Sequence, residues 1–495
     1  MTQLAHRVAE MQSYNLPTKR GHYYGGAWHD PKSGAWDDVA NPATGEALGS
    51  VAAGSADDVR AAIAAAKAAY GPWRDMAPVE RAKILRRCAE VLRAHAEELA
   101  LIDAIDGGNP VAEMMSDAAV AAAQMDYFAG LVTEMKGSTV PFGSGQLTYS
   151  VREPLGVVAR IIPFNHPLMF CAGKVAAPLA AGNTVIVKPP EQAPLSSLRL
   201  AELLDGLFPP GAFNIVLGGA EVGALLASHK DIAKVALIGS VPTGRAVMRA
   251  ASDTLKKVQL ELGGKNALIA FADADPDEVA RNAVAGMNFT WCGQSCGSTS
   301  RAFLHASIYD AVLEGIGEYC SRFKPGLPTD RATTMGAIVS KKQFDRVLGY
   351  VEAARKEGAR LVYGGKRPDD PELAGGYFFE PTVFADVTPD MTIAREEIFG
   401  PVLSVLRWSD EAAMLDQVNS VEYGLTCSIW TNDIAKAHRT AGAVDVGVVW
   451  INEVSSHYLG AAFGGYKQSG MGREECLEEL LGFTQEKTVH VNLKR

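Results

Sequence analysis

GVVARII at 156–162, NTVIVK at 183–188, AFNIVL at 212–217, KVALI at 234–238 and KVQLE at 257–261 decide the fold. Each run is apolar and rich in β-branched residues, as strands buried on both faces are. Helix-length stretches near 167–181, 195–208, 220–229 and 242–254 separate them. Strand, helix, strand at this spacing predicts a parallel, doubly wound sheet that takes its ligands beyond the strands' C-terminal ends. A second series follows at 266–271 (NALIAF), 301–305, 401–407, 426–431 and 446–451. The expectation is two Rossmann-like α/β domains of similar size, joined near Leu262 to Lys265.

Outside these cores, residues 136–154 carry a Gly143-Ser144-Gly145 turn and then alternate Leu147, Tyr149 and Val151. The tail 486–493 alternates Val489, Val491 and Leu493. Both read as apolar edge strands, which find partners. We expect them to pair with each other and with a second subunit. The chain then divides into a first domain (1–131 and 152–261), a second (262–466) and a small β oligomerisation arm (132–151 and 482–495). Residues 1 to about 54 are turn-rich and predict short strands. Ser55 opens a helix through a capping-box variant with Asp58, and Gly71-Pro72 stops it. A second helix is expected over Val79–Ile105, with Cys88 and His95 on its apolar stripe; they read as core residues, since no further ligand candidate accompanies them.

The chain has 495 residues, and 47 Lys+Arg against 57 Asp+Glu give a formal net charge of −10. At about 150 residues per domain, that length allows two to four domains. An acidic chain is a poor polyanion binder, which argues against nucleic acid. The longest apolar region, Leu155–Val187, is broken by Arg160, Asn165, His166 and Lys174, so no membrane span is expected. The opening MTQLAHRVAEMQSYN lacks the apolar core of a signal peptide. Seven cysteines, an odd and sparse set, fit a reducing compartment, by default the cytoplasm. No C-x-x-C or H-x-x-x-H occurs, so no metal site is expected.

Candidate chemistry lies where strands end. Cys296, in Gly293-Gln294-Ser295-Cys296-Gly297, sits among small residues that leave a thiolate accessible; a plain buried cysteine would look the same. Glu261 ends an apolar strand before Gly263-Gly264, where burial raises a carboxyl toward the range of a general base; a solvated strand-end Glu is the alternative. Asn165, in PFNHP at 163–167, is placed either to donate to an oxyanion or to cap the next helix. Lys188 and Glu191, in KPPE, form a cation–anion pair at the second strand's end. GSVPTG at 239–244 opens a helix as a phosphate-binding turn does, though it is not G-x-G-x-x-G.

Taken in order, PFNHP, KPPE, GSVPTG, LELGGK (260–265), GQSC (293–296), EEIFGP (396–401) and FGGYKQSGMGRE (463–474) resemble the aldehyde dehydrogenase superfamily over essentially the whole chain. The resemblance implies that the first domain binds NAD and the second carries the nucleophile. It implies Cys296 as nucleophile, Asn165 and the Cys296 backbone N–H as oxyanion hole, and Glu261 as the base that activates the hydrolytic water. Lys188 and Glu191 would hold the adenosine ribose. Gly239 and Ser240 would meet the pyrophosphate, Glu397 the nicotinamide ribose, and Phe399, Pro163 and Phe164 would pack beside it. A carboxylate at the ribose 2′-hydroxyl disfavours a 2′-phosphate, so NAD is expected over NADP.

By position His166, Met169, Phe170, Trp291, His457, Tyr458 and Phe463 resemble the walls of the aldehyde tunnel, which points to a medium-sized polar or aromatic aldehyde. Lys174 reads as structural. Trp291 and Cys292 depart from the family, where many relatives carry Asn and then a small or polar residue; Cys292, four residues before Cys296, raises the question of reversible disulfide protection. The implied reaction is oxidation of an aldehyde to a carboxylate by a homodimer or homotetramer. Acyl transfer to coenzyme A is the alternative, against which Glu261 speaks, since relatives using coenzyme A commonly lack it. A cysteine hydrolase would leave Lys188, Glu191, Ser240 and Glu397 unused, and a non-catalytic scaffold would need none of Cys296, Glu261 and Asn165.

Overall fold

The computed structural model describes residues 14–494; the segment 1–13, read above as part of a stretch without a signal-peptide core, lies outside them. The five opening runs form parallel strands Val157–Ile161, Thr184–Lys188, Phe213–Ile215, Ile232–Gly239 and Lys257–Leu262. Val157–Ile161 is central, with Thr184–Lys188 and then Phe213–Ile215 on one side, and Ile232–Gly239 and then Lys257–Leu262 on the other. Every residue of the first two strands is buried, which is why no polar alternation marks them. Strand order reverses at Val157–Ile161, and that reversal opens a crevice at the strands' carboxyl ends. Gly470–Met471 crosses back to cover the edge, pairing antiparallel with Leu260 and Glu261.

The second series forms Ala267–Ala270, Arg301–His305, Val402–Trp408, Thr426–Trp430 and Val448–Ile451, parallel neighbours in one sheet. Thr382–Ala385 and Arg360–Tyr363 extend it, the latter as a partly exposed antiparallel edge. In the arm, Thr484–Asn492 pairs antiparallel with Gln146–Pro154 along its whole length, from Thr484 beside Pro154 to Asn492 beside Gln146.

Two helical expectations are corrected. Gly71-Pro72 does not end the first helix, which runs over Ala56–Asp75. Trp73 is wholly buried there and meets Phe208 edge-on at 6.1 Å, so its burial outweighs the bond that Pro72 removes. The helix expected over Val79–Ile105 is two, Pro78–Ala94 and Ala96–Gly107, broken at His95. Cys88 is core, but the His95 side chain turns to Glu98, with 2.9 Å from Nδ1 to Oε2. An Ala-rich helix, Val111–Gly130, then lies against Pro167–Ala180. Their close approach needs Gly173, where a Cβ would sit 1.8 Å from Gln124 Oε1. Among the described residues no helix is long and apolar enough to cross a membrane.

Candidate active site

The Cys296 loop is pinned from several sides. Gly293, at φ +64°, passes so near Gly400 that a Cβ would lie 2.2 Å from its carbonyl oxygen. Asn266 Nδ2 donates to Cys296 O at 2.7 Å and to Ser298 O at 3.0 Å. Gln294 Oε1 accepts from Val339 N at 3.1 Å. Cys296 keeps partial exposure, whereas Cys292 is buried with its Sγ donating to Gly336 O at 3.1 Å. The Cys292 thiol thus has a partner in the core, away from solvent.

Glu261, last but one in its strand, is buried, and Oε1 has no hydrogen-bond partner. Burial, reinforced by the charge of Glu474, pushes its carboxyl up to about 8, against a hydrogen bond from Cys296 that lowers it. Burial and then the Glu261 charge hold the Cys296 thiol well above its ordinary range. Asn165 follows the central strand; its carbonyl accepts from Asn109 Nδ2 at 2.7 Å, which anchors the turn while the side chain stays unanchored, with Oδ1 unpartnered.

Cys296, Glu261 and Asn165 meet at one cavity of about 490 Å³. Six of the expected wall residues line it: His166, Met169, Phe170, Trp291, His457 and Phe463. Tyr458 does not. It is 60% exposed, its hydroxyl donating at 2.7 Å to Oε1 of Glu453, which is not in the cavity wall, while His457 and Leu459 on either side of it line the cavity. Asp117 and Gln124 also line the cavity and were not foreseen. They stand seven apart on the Ala-rich helix, so a polar stripe on an otherwise apolar face was the available signal. Glu474 and Glu475, from the FGGYKQSGMGRE segment and its next residue, close the floor with Lys174, whose Nζ lies 2.9 Å from Glu474 and 3.4 Å from Glu475. Arg160 completes that network, 3.0 Å from Glu474 and 2.9 Å from Glu479.

The crevice holds the remaining expected residues. Lys188 ends its strand beside Ile161, buried, and burial lowers its ammonium against the opposing pull of Glu191. Glu191 reaches Gly219, where a Cβ would lie 2.5 Å from Oε1. Gly239 ends the next strand and Ser240 caps the helix Val241–Ser252, its Oγ accepting from Thr243 N at 3.4 Å, so that helix's N-terminus starts at the crevice. Glu397 is raised to about 7 by burial and accepts from Gly264 N at 3.2 Å; a Cβ at Gly263 would lie 2.1 Å from its carboxylate. Phe399, at φ +56°, stands perpendicular to Phe164 at 5.7 Å, and Phe164 follows Pro163 in the turn after the central strand. Sequence reading missed Gln343 and Arg346, which hold this loop by donating to Phe399 O at 2.8 Å and to Glu397 O at 2.6 Å. Among the described residues no group of His, Cys, Asp or Glu is arranged to hold a metal ion.

This constellation has known counterparts. An aldehyde dehydrogenase named tropH of Talaromyces stipitatus is 53% identical over 97% of this chain and 94% of that protein. A betaine aldehyde dehydrogenase of Brucella anthropi is 43% identical over 96% of this chain and 98% of its own length. The NAD+ complex of an aldehyde dehydrogenase from Bacillus cereus superposes with a TM-score of 0.93 at 39% identity, covering 99% of each chain. The sequence pattern of the aldehyde dehydrogenase family matches residues 28–489, and the chain belongs to that family.

Proposed function

We propose that the enzyme oxidises an aldehyde to its carboxylate with NAD, using Cys296 as nucleophile, Asn165 as oxyanion donor and Glu261 as base. The observation that carries this reading is the meeting of those three side chains at one cavity beside the crevice. A thiol held above its ordinary range needs a base, and Glu261 is the carboxylate its S–H already meets. As Cys296 Sγ bonds to the aldehyde carbon, the thiol proton passes to a Glu261 oxygen and charge grows on the carbonyl oxygen. Asn165 Nδ2 and the Cys296 N–H serve that oxygen. Glu261, once it has returned its proton to solvent, takes another from the water that attacks the thioester, and Cys296 leaves.

The crevice suits a dinucleotide: Gly219 and Gly263 admit the Glu191 and Glu397 carboxylates where any Cβ would collide. Lys188 and Glu191 would hold the adenosine ribose, Gly239, Ser240 and the helix N-terminus the pyrophosphate, and Glu397, Phe399, Pro163 and Phe164 the nicotinamide end. When bound, NAD supplies the acceptor for the hydride that turns a Cys296 thiohemiacetal into a thioester. Glu191 would repel a 2′-phosphate, so kcat/KM should be higher with NAD than with NADP; equal values would remove that preference.

A first domain over 1–131 and 152–261 and a second over 262–466 are supported by the two separate parallel sheets, although Leu262 still pairs in the first of them. The arm leaves Val140, Phe142, Leu147, Val151 and Leu493 exposed, which supports a homodimer or homotetramer built on that sheet. Seven free cysteines support a cytoplasmic setting. Purified protein mixed with NAD and an aldehyde panel tests the main reading through NADH absorbance. Wild type alone, and not Cys296→Ala, should form NADH. NADH that appears only with coenzyme A would replace this reading with acyl transfer.

A further inference from the structure

His166 lines the cavity with one ring nitrogen already committed: Nδ1 lies 2.8 Å from Asp117 Oδ2, both residues being buried. Nε2 has no hydrogen-bond partner among the described residues, and it is not among the sealed, unpartnered polar atoms of the interior. It is the polar atom this pair offers to the cavity. The imidazole stands perpendicular to Trp291 at 4.6 Å and to Phe170 at 5.8 Å, so Nε2 sits in a corner of aromatic rings.

The charges around the cavity narrow the choice of occupant. Asp117 is matched by His166, Glu475 by Lys174 and His457, and Glu474 by Lys174 and Arg160. Apart from Glu261, which the reaction itself uses, no carboxylate of this lining is left unmatched among the described residues, and no Lys or Arg there is free to greet an anionic aldehyde. The fit is a flat, uncharged, polarisable molecule with one polar atom.

We propose that the substrate is an aromatic aldehyde bearing a ring hydroxyl, and that His166 Nε2, held by Asp117, is the specificity-determining partner of that hydroxyl. The proposal rests on the oxidation reading above and names its substrate class. With the Asp117 carboxyl accepting from Nδ1, Nε2 accepts from the hydroxyl when the ring is neutral and donates to it when the ring is cationic. A hydroxyl answers both states, whereas an ether or carbonyl oxygen answers only the second. Burial opposes the cation, and the charge of Asp117, then Asp103 and Glu113, favours it, with the net result that His166 is raised.

The test compares kcat/KM for 2-, 3- and 4-hydroxybenzaldehyde with that for benzaldehyde and for betaine aldehyde, with saturating NAD. Wild type should prefer the best hydroxylated isomer to benzaldehyde by about tenfold, the value of one hydrogen bond to a charge-supported partner. His166→Phe should bring that ratio to about one, chiefly through KM for the hydroxylated ring. A folding defect would lower both rates together and leave the ratio standing. If His166→Phe does not fold, Asp117→Asn, which frees the tautomer, should lower the ratio about threefold. A wild-type ratio near one, a preference for betaine aldehyde, or a ratio unmoved by the variants overturns the inference alone. No NADH from any aldehyde overturns the oxidation reading and the inference with it.

Discussion

Glu261 and Glu474 line the same cavity, both buried, and burial leaves them in opposite states. Glu261 has no cation within pairing distance, so desolvation raises it to about 8. Desolvation raises Glu474 as well, but Lys174 and Arg160 outweigh it and hold that carboxyl well below the usual range. One carboxylate can exchange a proton near neutrality, and the other is a fixed charge that binds the crossing segment to the sheet. The difference comes from neighbours, not from depth, and only the first state serves a general base.

The largest effect expected is on Glu261→Gln, which should lower kcat by about 10²–10⁴-fold. Hydroxylamine, a nucleophile that needs no base, should restore turnover in part; no rescue would place the block before the thioester. Lys174→Met should leave Glu474 and Glu475 under-matched and cost about 3 kcal/mol of stability, read as a lowered Tm, whereas Glu261→Gln should not lower it. If both variants melt alike, the contrast between the two carboxylates fails. Asn165→Ala should reduce kcat by about 10²–10³-fold, and an unchanged rate would take Asn165 out of the mechanism.

The smallest effect is the pH dependence of stability. Glu261 is raised on folding, so its contribution is complete below the unfolded carboxyl range and is lost as pH rises through about 8. Glu474 is depressed, so its contribution is present above that range and is lost as pH falls through its folded value. Glu261→Gln should flatten the alkaline limb of a Tm–pH curve and spare the acid limb. The reverse pattern would mean that the pairing has been misassigned. Over the same alkaline window kcat should rise as Glu261 deprotonates.

The strand runs were legible because a strand buried on both faces is apolar without interruption, and all ten runs of the two series are strands within two residues at each end. Arg360–Tyr363 was not, since an antiparallel edge strand left partly exposed is not continuously apolar, and Thr382–Ala385 pairs with it without an α-helix between them, outside the strand–helix alternation. Pro72 misled because a local rule about proline says nothing of the burial of Trp73 one residue on. At the site, Cys296, Glu261 and Asn165 stood in motifs next to glycine or proline, where local chemistry is visible. Asp117 belongs to no motif: its meaning depends on His166, which lies 49 residues away. Tyr458 was misplaced because neighbouring side chains alternate here: His457 and Leu459 face the cavity, whereas the Tyr458 hydroxyl bonds to Glu453.

The strand Thr484–Asn492 is made more than 300 residues after Gln146–Pro154, with which it pairs, and Lys174 waits for Glu474 and Glu475. Contacts that span some 300 residues cannot close until both partners have been made. Until then the nascent chain holds Lys174 and Arg160 without their carboxylates and one edge of the arm uncovered. Such a chain is exposed to chaperones and to aggregation, and the cavity acquires its floor only once the segment carrying Glu474 and Glu475 has been made.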